Sequence, residues 1–337
     1  MSINISVKRQ NTSRILWLDY AKIAGIYLVI IGHGHLLAPE WKQYIFAFHM
    51  PLFFIISGMF FHVKRRETFI KSIITRMIVP YLIINVICLA IGNFGKLFLG
   101  KWEMASFLKQ LYAILLGVGY RTDYCEPVCT TLWFVVALII LHVLFNISAS
   151  LKYVVFTTLV CIVSFIALKL INVDTWFPID SAMLAAPFFS IGMLTQKYLI
   201  SIGNNKKINV FFGGVFFLLV CYIINRYNGR VNINGSNYGS NILLFYLAGV
   251  TGSVGFLMLC KALPEKIDCS RFAKGTFLIM GFHLMFISVF KALFYKLCPS
   301  VELNSVIGMF IGLLILITFK PIIGLCSRYF PAILGNR

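Results

Sequence analysis

Charged residues are scarce in this chain of 337 residues. They make up 12% of it, against 60% for apolar residues, and an ordinary soluble domain carries roughly twice that share of charge. A chain with so little polar surface cannot cover itself in water, which excludes a soluble globular protein. Lipid must be the solvent for much of it.

Acidic residues are the scarcest charged class, with 11 Asp and Glu against 30 Lys and Arg, and the net charge is +19. The bases lie between apolar runs and not on one soluble face, so no nucleic-acid partner is expected. No C-x-x-C zinc pattern occurs, and no metal site is expected. Cys125 and Cys129 share one polar loop, where a disulfide is one alternative if that loop faces an oxidising compartment.

Ten apolar segments are long enough to approach the roughly 20 residues that a membrane span needs. Because lipid cannot satisfy open backbone groups, these segments should be helices. The expected fold class is therefore an all-α integral membrane protein with about ten transmembrane helices. The predicted spans are 15–37, 44–62, 77–95, 131–150, 153–172, 177–196, 208–225, 239–261, 272–295 and 303–326.

The basic residues predict the orientation of these spans. With the N-terminus in the cytoplasm, the inner segments 8–14, 64–76, 152, 197–207, 261–274 and 320–337 hold nineteen Lys and Arg, and the outer segments hold ten. This bias follows the positive-inside rule and places both termini in the cytoplasm. Residues 1–14 show no signal-peptide cleavage site and form an expected cytoplasmic tail, 15–326 the membrane domain, and 327–337 a second cytoplasmic tail.

The longest outer loop, 96–130, contains a stretch of mixed apolar and polar residues at 102–118. This pattern predicts an amphipathic helix lying on the membrane surface. A second outer loop, 226–238, is rich in Asn and Gly. It is either a ligand-contacting segment or a solvated turn.

The first span carries the richest set of ionisable residues, and such residues inside a membrane are functional candidates. Asp19 and Lys22 are three residues apart and can pair on one helix face. Lys22 and His33 are eleven residues apart, close to three full turns, so both point the same way across roughly 16 Å. Histidine is the natural general base for a hydroxyl near neutral pH. The alternative is a buried histidine that only satisfies a neighbouring helix.

Other candidates follow the same reasoning. His35 lies beside His33, and His49 is predicted near the outer end of the second span. Ser57, next to Gly58, suits a close helix contact or a substrate contact. His283 is predicted in the middle of the ninth span. For each of these, a structural role remains the competing interpretation.

The inner segment 62–80 is strongly basic. Arg65, Arg66, Lys71 and Arg76 could bind the phosphates of an anionic donor such as coenzyme A. Positive-inside topology with binding of lipid headgroups explains these residues nearly as well.

Several of these stretches resemble the acyltransferase 3 family of membrane-bound O-acyltransferases. That family has an Arg or Lys followed by ten residues and a His, which here are Lys22 and His33. The segment 48–58 (FHMPLFFIISG) is similar to the next family motif in the form found in sugar O-acetyltransferases. The stretches at 76–82, 132–138, 187–194, 238–246 and the helix that ends near His283 follow in the family's order.

The resemblance implies ten membrane helices and transfer of an acyl group, commonly acetyl from acetyl-coenzyme A, to a carbohydrate hydroxyl. The catalytic role then falls on His33 and the basic role on Lys22, with Asp19 and His49 as further catalytic candidates. His35, Ser57 and His283 are candidates for substrate binding. The expectation is an enzyme of a bacterial inner membrane with no bound cofactor, with acetyl-coenzyme A, a polysaccharide or lipid-linked glycan, and membrane lipid as partners. The competing functions are a transporter or flippase of polysaccharide intermediates and a lipid-linked sugar polymerase.

Overall fold

The structure is a computed structural model that describes residues 15–147, 150–173, 175, 178–201 and 207–335. Within these residues, all regular structure is helical, apart from one isolated bridge between Asn232 and Asn237. The first seven α-helices are α1 (Leu16–Gly32), α2 (Pro39–Met59), α3 (Arg66–Ile73), α4 (Val79–Phe98), α5 (Met104–Leu116), α6 (Trp133–Phe145) and α7 (Leu151–Leu170). The remaining ones are α8 (Ile179–Ser201), α9 (Lys207–Asn228), α10 (Ile242–Ala262), α11 (Ser270–Ala273), α12 (Thr276–Leu297) and α13 (Ser305–Tyr329).

Six helical segments are long and apolar enough to cross a membrane, and they coincide with six of the ten predicted spans. They are 66–98, 151–170, 207–228, 242–262, 276–297 and 305–329. The chain is therefore a multi-pass membrane protein. The first of these segments is one continuous helix, because a π-helical turn at 74–78 joins α3 to α4.

The four other predicted spans correspond to α1, α2, α6 and α8, which are shorter or more polar. They form the interior of the bundle: α2 packs against α1, α8, α9 and α10, and α6 packs against α8. The six apolar segments bury only 22–39% of their residues inside the protein. This division has a simple cause, since a helix that carries polar groups gains from protein neighbours that satisfy them, while an apolar helix is stable against lipid.

Several predicted span ends are wrong, among them the end of the fourth span (150, against Phe145) and that of the sixth (196, against Ser201). Two others bear on the candidate site. The first span was expected to continue to residue 37, but α1 ends at Gly32, because the chain turns at Gly34 and His35 with positive φ of 64° and 57°. The second was expected to begin at residue 44, but α2 begins at Pro39. Proline is favoured at the first helical position, since the amide hydrogen it lacks would have had no partner there.

The first turn of α8 contains a buried acidic residue, Asp180. The Asp180 carboxylate accepts hydrogen bonds from the backbone amide of Ser181 at 2.7 Å and from Oγ of Ser236 at 2.6 Å. A carboxylate at a helix N-terminus is favoured by the exposed amide groups there. The same contact fastens the loop 229–241, which is predicted to be an outer loop, to the first turn of α8.

Helix α5 confirms the helix predicted within 102–118, but its polar face is turned inward. Gln110 is buried and accepts a hydrogen bond from Asn93 of α4 at 2.7 Å, and Ser106 donates to Glu126 at 2.7 Å. The apolar face is exposed, with Leu115 at 73%. Polar partners on α4 and in the loop satisfy the polar side chains of α5.

Candidate active site

His33 follows the last residue of α1 and folds back over it. Its Nδ1 lies 2.7 Å from the carbonyl oxygen of Val29. A carbonyl only accepts hydrogen bonds, so Nδ1 carries the hydrogen. In the neutral ring, Nε2 then presents a free lone pair, which is the form that a general base needs.

The turn after His33 is fixed by α12. The backbone amide of Leu36 donates to the His33 carbonyl, and the two central residues, Gly34 and His35, both have positive φ, as in a type I′ turn. A Cβ atom at Gly34 would lie 2.4 Å from Cγ2 of Ile287, and Lys291 donates to the Gly34 carbonyl at 3.0 Å. Glycine is therefore required here both for its backbone conformation and for space.

Two further histidines repeat the arrangement of His33. Nδ1 of His49 lies 2.9 Å from the carbonyl oxygen of Ile45. Nδ1 of His283 lies 2.9 Å from the carbonyl of Met280 and 3.1 Å from that of Ile279. By the same reasoning, both rings carry the hydrogen on Nδ1 and present Nε2 as an acceptor.

These three histidines form one cluster, named here the histidine cluster (His33, His49 and His283). The rings of His33 and His283 meet edge to face with centroids 5.2 Å apart. Phe46 lies between the other pair, 5.6 Å from His33 and 4.8 Å from His49. The cluster joins the end of α1 and the neighbouring helix α2 to α12, which is far from both in sequence.

His49 and His283 are almost completely buried, at 1% and 0% exposure, while His33 is partly exposed. His49 lies in the middle of α2 and not near an outer end, because α2 begins five residues earlier than the predicted span. Nε2 of His283 is buried and has no hydrogen-bond partner among the residues that the structure describes. Such an atom is rare in native structures and calls for an explanation.

Lys22 and His33 both face α2, although His33 lies outside α1 and so does not belong to the helical stripe that the spacing predicted. Nζ of Lys22 lies 5.3 Å from the ring centroid of Phe60, and His33 lies against Phe46. Phe46 and Phe60 are fourteen residues apart on α2 and its end, close to four turns, so they share one helix face. Asp19 is buried one turn before Lys22. Lys22 and His33 therefore occupy opposite ends of one interface between α1 and α2.

A second feature is a cavity of about 920 Å³ at the predicted inner end of the bundle, named here the basic cavity. Five cations and five hydroxyl groups line it. The cations are Lys64, Lys71, Arg76, Arg271 and Lys274, and the hydroxyls belong to Thr68, Ser72, Thr75, Ser270 and Ser327. Phosphate groups are the ligands that such a lining suits.

The cations of this cavity repel one another. Burial, and then the charge of Arg76, lower the pKa of Lys64. Opposite charge from a bound anion would relieve this repulsion. Leu334 and Gly335 form part of the cavity wall, and the Arg76 carbonyl oxygen lies 2.7 Å from where a Cβ of Gly335 would be.

The structure brings some predicted site residues together and leaves others apart. Lys71 and Arg76 line the basic cavity, while Arg65 and Arg66 are exposed on the same segment and are not among its lining residues. His35 is exposed on the turn. Ser57 lies eight residues after His49, about 12 Å along the helix.

The two cysteines of the outer loop are both free. Cys125 packs in a small cluster with Ala113 and Val118, whereas Sγ of Cys129 donates to the Gly281 carbonyl at 3.0 Å. They therefore belong to different packing environments, and the structure contains no disulfide between them.

Sequence reasoning missed Arg271 and Lys274 as partners of the basic segment. Both had been counted only as evidence of orientation, since they lie about 200 residues away in sequence. The one available signal was that inner basic segments meet at the same membrane surface. Which of those segments share a cavity depends on how the helices pack.

The model of the acyltransferase 3 family, described as an acyltransferase domain, matches residues 15–324. The chain belongs to the acyltransferase 3 family. A comparison with curated proteins finds no match, and a comparison with solved structures finds none either. Family membership makes this chain a membrane acyltransferase with a donor and an acceptor, and the match covers every residue of the histidine cluster.

Proposed function

We propose that this protein transfers acetyl from acetyl-coenzyme A to a hydroxyl of a surface polysaccharide, or of its lipid-linked precursor, at a bacterial inner membrane. The observation that carries the proposal is the pairing of two sites on one helix bundle. The histidine cluster offers bases for a hydroxyl, and the basic cavity offers cations for a phosphorylated donor.

The reaction needs one base and one leaving group. The acceptor hydroxyl attacks the thioester carbonyl while Nε2 of His33 takes its proton. A C–O bond forms, the C–S bond breaks, and the proton on His33 passes to the departing thiolate. Because Nδ1 of His33 is held by the Val29 carbonyl, the ring keeps the tautomer that this step requires.

The donor reaches the cluster along α1. Coenzyme A carries its phosphates at one end and its thioester at the end of a long arm. Phosphates bound by Lys71, Arg76 and Arg271 would leave that arm to extend along the interface of α1 and α2. The part of α1 from Lys22 to Gly32, after which His33 follows, is about 15 Å long. Asp19 and Lys22 line the inner end of this path, and His49 supports the cluster from α2.

The test is the content of ester-bound acetyl in surface glycans of cells that lack this gene and carry wild type, His33→Ala or His62→Ala. His62 is an exposed inner histidine and serves as the control. We expect wild type and His62→Ala to restore the ester and His33→Ala not to, with all three proteins present in the membrane. Unchanged esters with altered glycan export or length would instead favour a transporter or a polymerase.

A second comparison tests the donor site. Lys71→Ala with Arg76→Ala removes two cations from the basic cavity, and Arg65→Ala with Arg66→Ala removes two from the same segment outside it. We expect only the first pair to raise the KM for acetyl-coenzyme A, by about tenfold or more, since each lost charge-assisted hydrogen bond costs about 1.5–3 kcal/mol. Equal effects of both pairs would indicate a general role of inner positive charge.

A further inference from the structure

The buried Nε2 atom of His283 is the polar group that the reaction scheme leaves unused. It has no partner within the part of the chain that the structure describes, and its ring is 0% exposed. An acceptor that is buried without a donor destabilises the folded protein, because it has lost its hydrogen bonds to water. The atom lies in the histidine cluster, so a bound molecule could supply the missing donor.

His142 shows that a buried Nε2 atom without a hydrogen-bond partner does not by itself indicate a ligand site. Its Nε2 is also buried and has no partner in the described ranges of the chain, but its ring packs against Phe61 and Phe189 at 5.2 and 5.5 Å. His283 instead meets the ring of His33 at 5.2 Å. The two histidines therefore share a buried Nε2 atom, although His142 as a whole is only partly buried, and they differ in whether the proposed base is next to them.

The chemistry of the cluster limits what the bound group can be. All three Nδ1 atoms donate to backbone carbonyls, so the neutral rings offer acceptors only at Nε2. A ligand that satisfies them must bring hydrogen-bond donors. One reacting hydroxyl has one proton, which the proposed reaction gives to His33. A second acceptor beside His33 therefore calls for a second donor on the same molecule.

We infer that the acceptor presents two neighbouring hydroxyls to the cluster, and that His283 determines which of them reacts. Nε2 of His33 takes the proton of the reacting hydroxyl, while Nε2 of His283 accepts a hydrogen bond from the adjacent hydroxyl, which keeps its proton. The substrate class is then a vicinal diol, as on a sugar ring, and not an isolated alcohol. This inference rests on the proposed function and adds to it the origin of positional selectivity.

The test uses the full-length protein in lipid nanodiscs with acetyl-coenzyme A. The acceptor probe is the surface glycan isolated from cells that lack this gene. His283→Phe and His283→Leu remove the acceptor atom with side chains of different size, and His283→Gln keeps an acceptor oxygen. His142→Phe is the matched control. The readouts are the KM for each substrate, kcat, and the position of the acetyl ester determined by nuclear magnetic resonance.

We expect whichever of His283→Phe and His283→Leu reaches the membrane to raise the KM for the glycan by about 10- to 100-fold. The acetyl group should also be spread over two adjacent positions, with the KM for acetyl-coenzyme A unchanged. His283→Gln should recover most of the affinity and selectivity, and His142→Phe should behave as wild type.

Three results would overturn the inference. They are an unchanged glycan KM with acetyl at a single position in the variants without an acceptor atom, a change confined to the KM for acetyl-coenzyme A, or an equal loss in His283→Gln and His283→Phe. A wild-type protein that transfers no acetyl at all would overturn the proposed function itself. That outcome is distinguishable, because it precedes any comparison of variants.

Discussion

His33 owes its position to the residues that stop α1. Had the helix continued to residue 37, the His33 backbone carbonyl would have been part of the helical ladder and the ring would have followed the helical period. Instead the chain leaves the helix at Gly32, and the turn at Gly34 and His35 is held by Ile287 and Lys291 of α12. The position of the proposed base therefore depends on a residue with no side chain.

Gly34→Ala should reduce acetyl transfer without removing any functional group. The added Cβ would meet Ile287 at 2.4 Å and would require positive φ, a strain of about 1–3 kcal/mol, which moves the turn and His33 with it. We expect at least a tenfold loss in kcat, measured by release of free coenzyme A thiol. Gly92→Ala on α4, where a Cβ meets nothing within 4 Å, is the control. Activity equal to that of the control would show that the turn does not position His33.

Glu126 gives a prediction that depends on pH. The hydrogen bond from Ser106, and then the bond and charge of Lys96 at 3.1 Å, lower the pKa of this carboxyl below its usual value of 4.5. A lowered pKa means that the ionised form stabilises the folded state above the usual pKa, and that this contribution is lost as the pH falls through the folded pKa.

Glu126→Gln should therefore lower the unfolding midpoint at pH 7 and have little effect at a pH well below 4.5. The loss at pH 7 should be at most about 1 kcal/mol, since the group is partly solvated and its ion pairs are screened. The measurement is thermal unfolding in detergent at both pH values. Glu103→Gln, which changes an exposed acid on the same segment, is the control. An effect of equal size at both pH values would contradict the assignment.

Helices α2 and α8 approach each other until their backbones touch. A Cβ at Gly58 would lie 2.0 Å from the Phe189 carbonyl oxygen, and one at Gly192 would lie 2.1 Å from that of Ile55. Small residues allow this close packing in membranes, where dispersion and not the hydrophobic effect holds helices together. The contact predicted at Gly58 is confirmed, and its partner Gly192 was not foreseen.

Gly58→Ala and Gly192→Ala should each destabilise the protein by about 1–3 kcal/mol, because a backbone oxygen cannot move aside as a side chain can. The double variant should cost less than the sum of the two, since the first substitution already separates the helices. Thermal unfolding in detergent measures both. Gly95→Ala, with nothing within 4 Å of its Cβ, is the control, and full additivity would contradict a shared contact.

The histidine cluster and the basic cavity lie at opposite ends of α1. Residues 64–76, 270–274 and 327–335 line the cavity, whereas His33 follows the last residue of α1. A donor that binds from one side and an acceptor that approaches from the other can then meet at the cluster. This arrangement requires the orientation that the basic residues predict, with both termini in the cytoplasm.

Reporter fusions in a bacterial host test that orientation. Green fluorescent protein fused after the last residue should fluoresce, and alkaline phosphatase at the same position should be inactive, because fluorescence requires the cytoplasm and the phosphatase requires export. Fusions after Asn237, in the outer loop held by Asp180, should give the opposite pair of results. An active phosphatase at the C-terminus would show that the protein has the opposite orientation, with the basic cavity facing out of the cytoplasm.

The sequence by itself determined that this chain lies in a membrane, where most of its helices run, and which family it belongs to. Apolar length and the spacing of Lys22 and His33 are local properties, so they can be predicted from neighbouring residues. Ionisable residues inside apolar runs also marked His33, His49 and His283 one by one.

Only the tertiary structure decided which of those residues meet. His283 lies 250 residues after His33 and reaches it because α12 packs against α1, and Arg271 joins Arg76 in one cavity for the same kind of reason. The end of α1 at Gly32 was missed because it depends on Ile287 and Lys291. Contacts between helices far apart in sequence follow from the shapes of their packed faces, and no local pattern of residues encodes them.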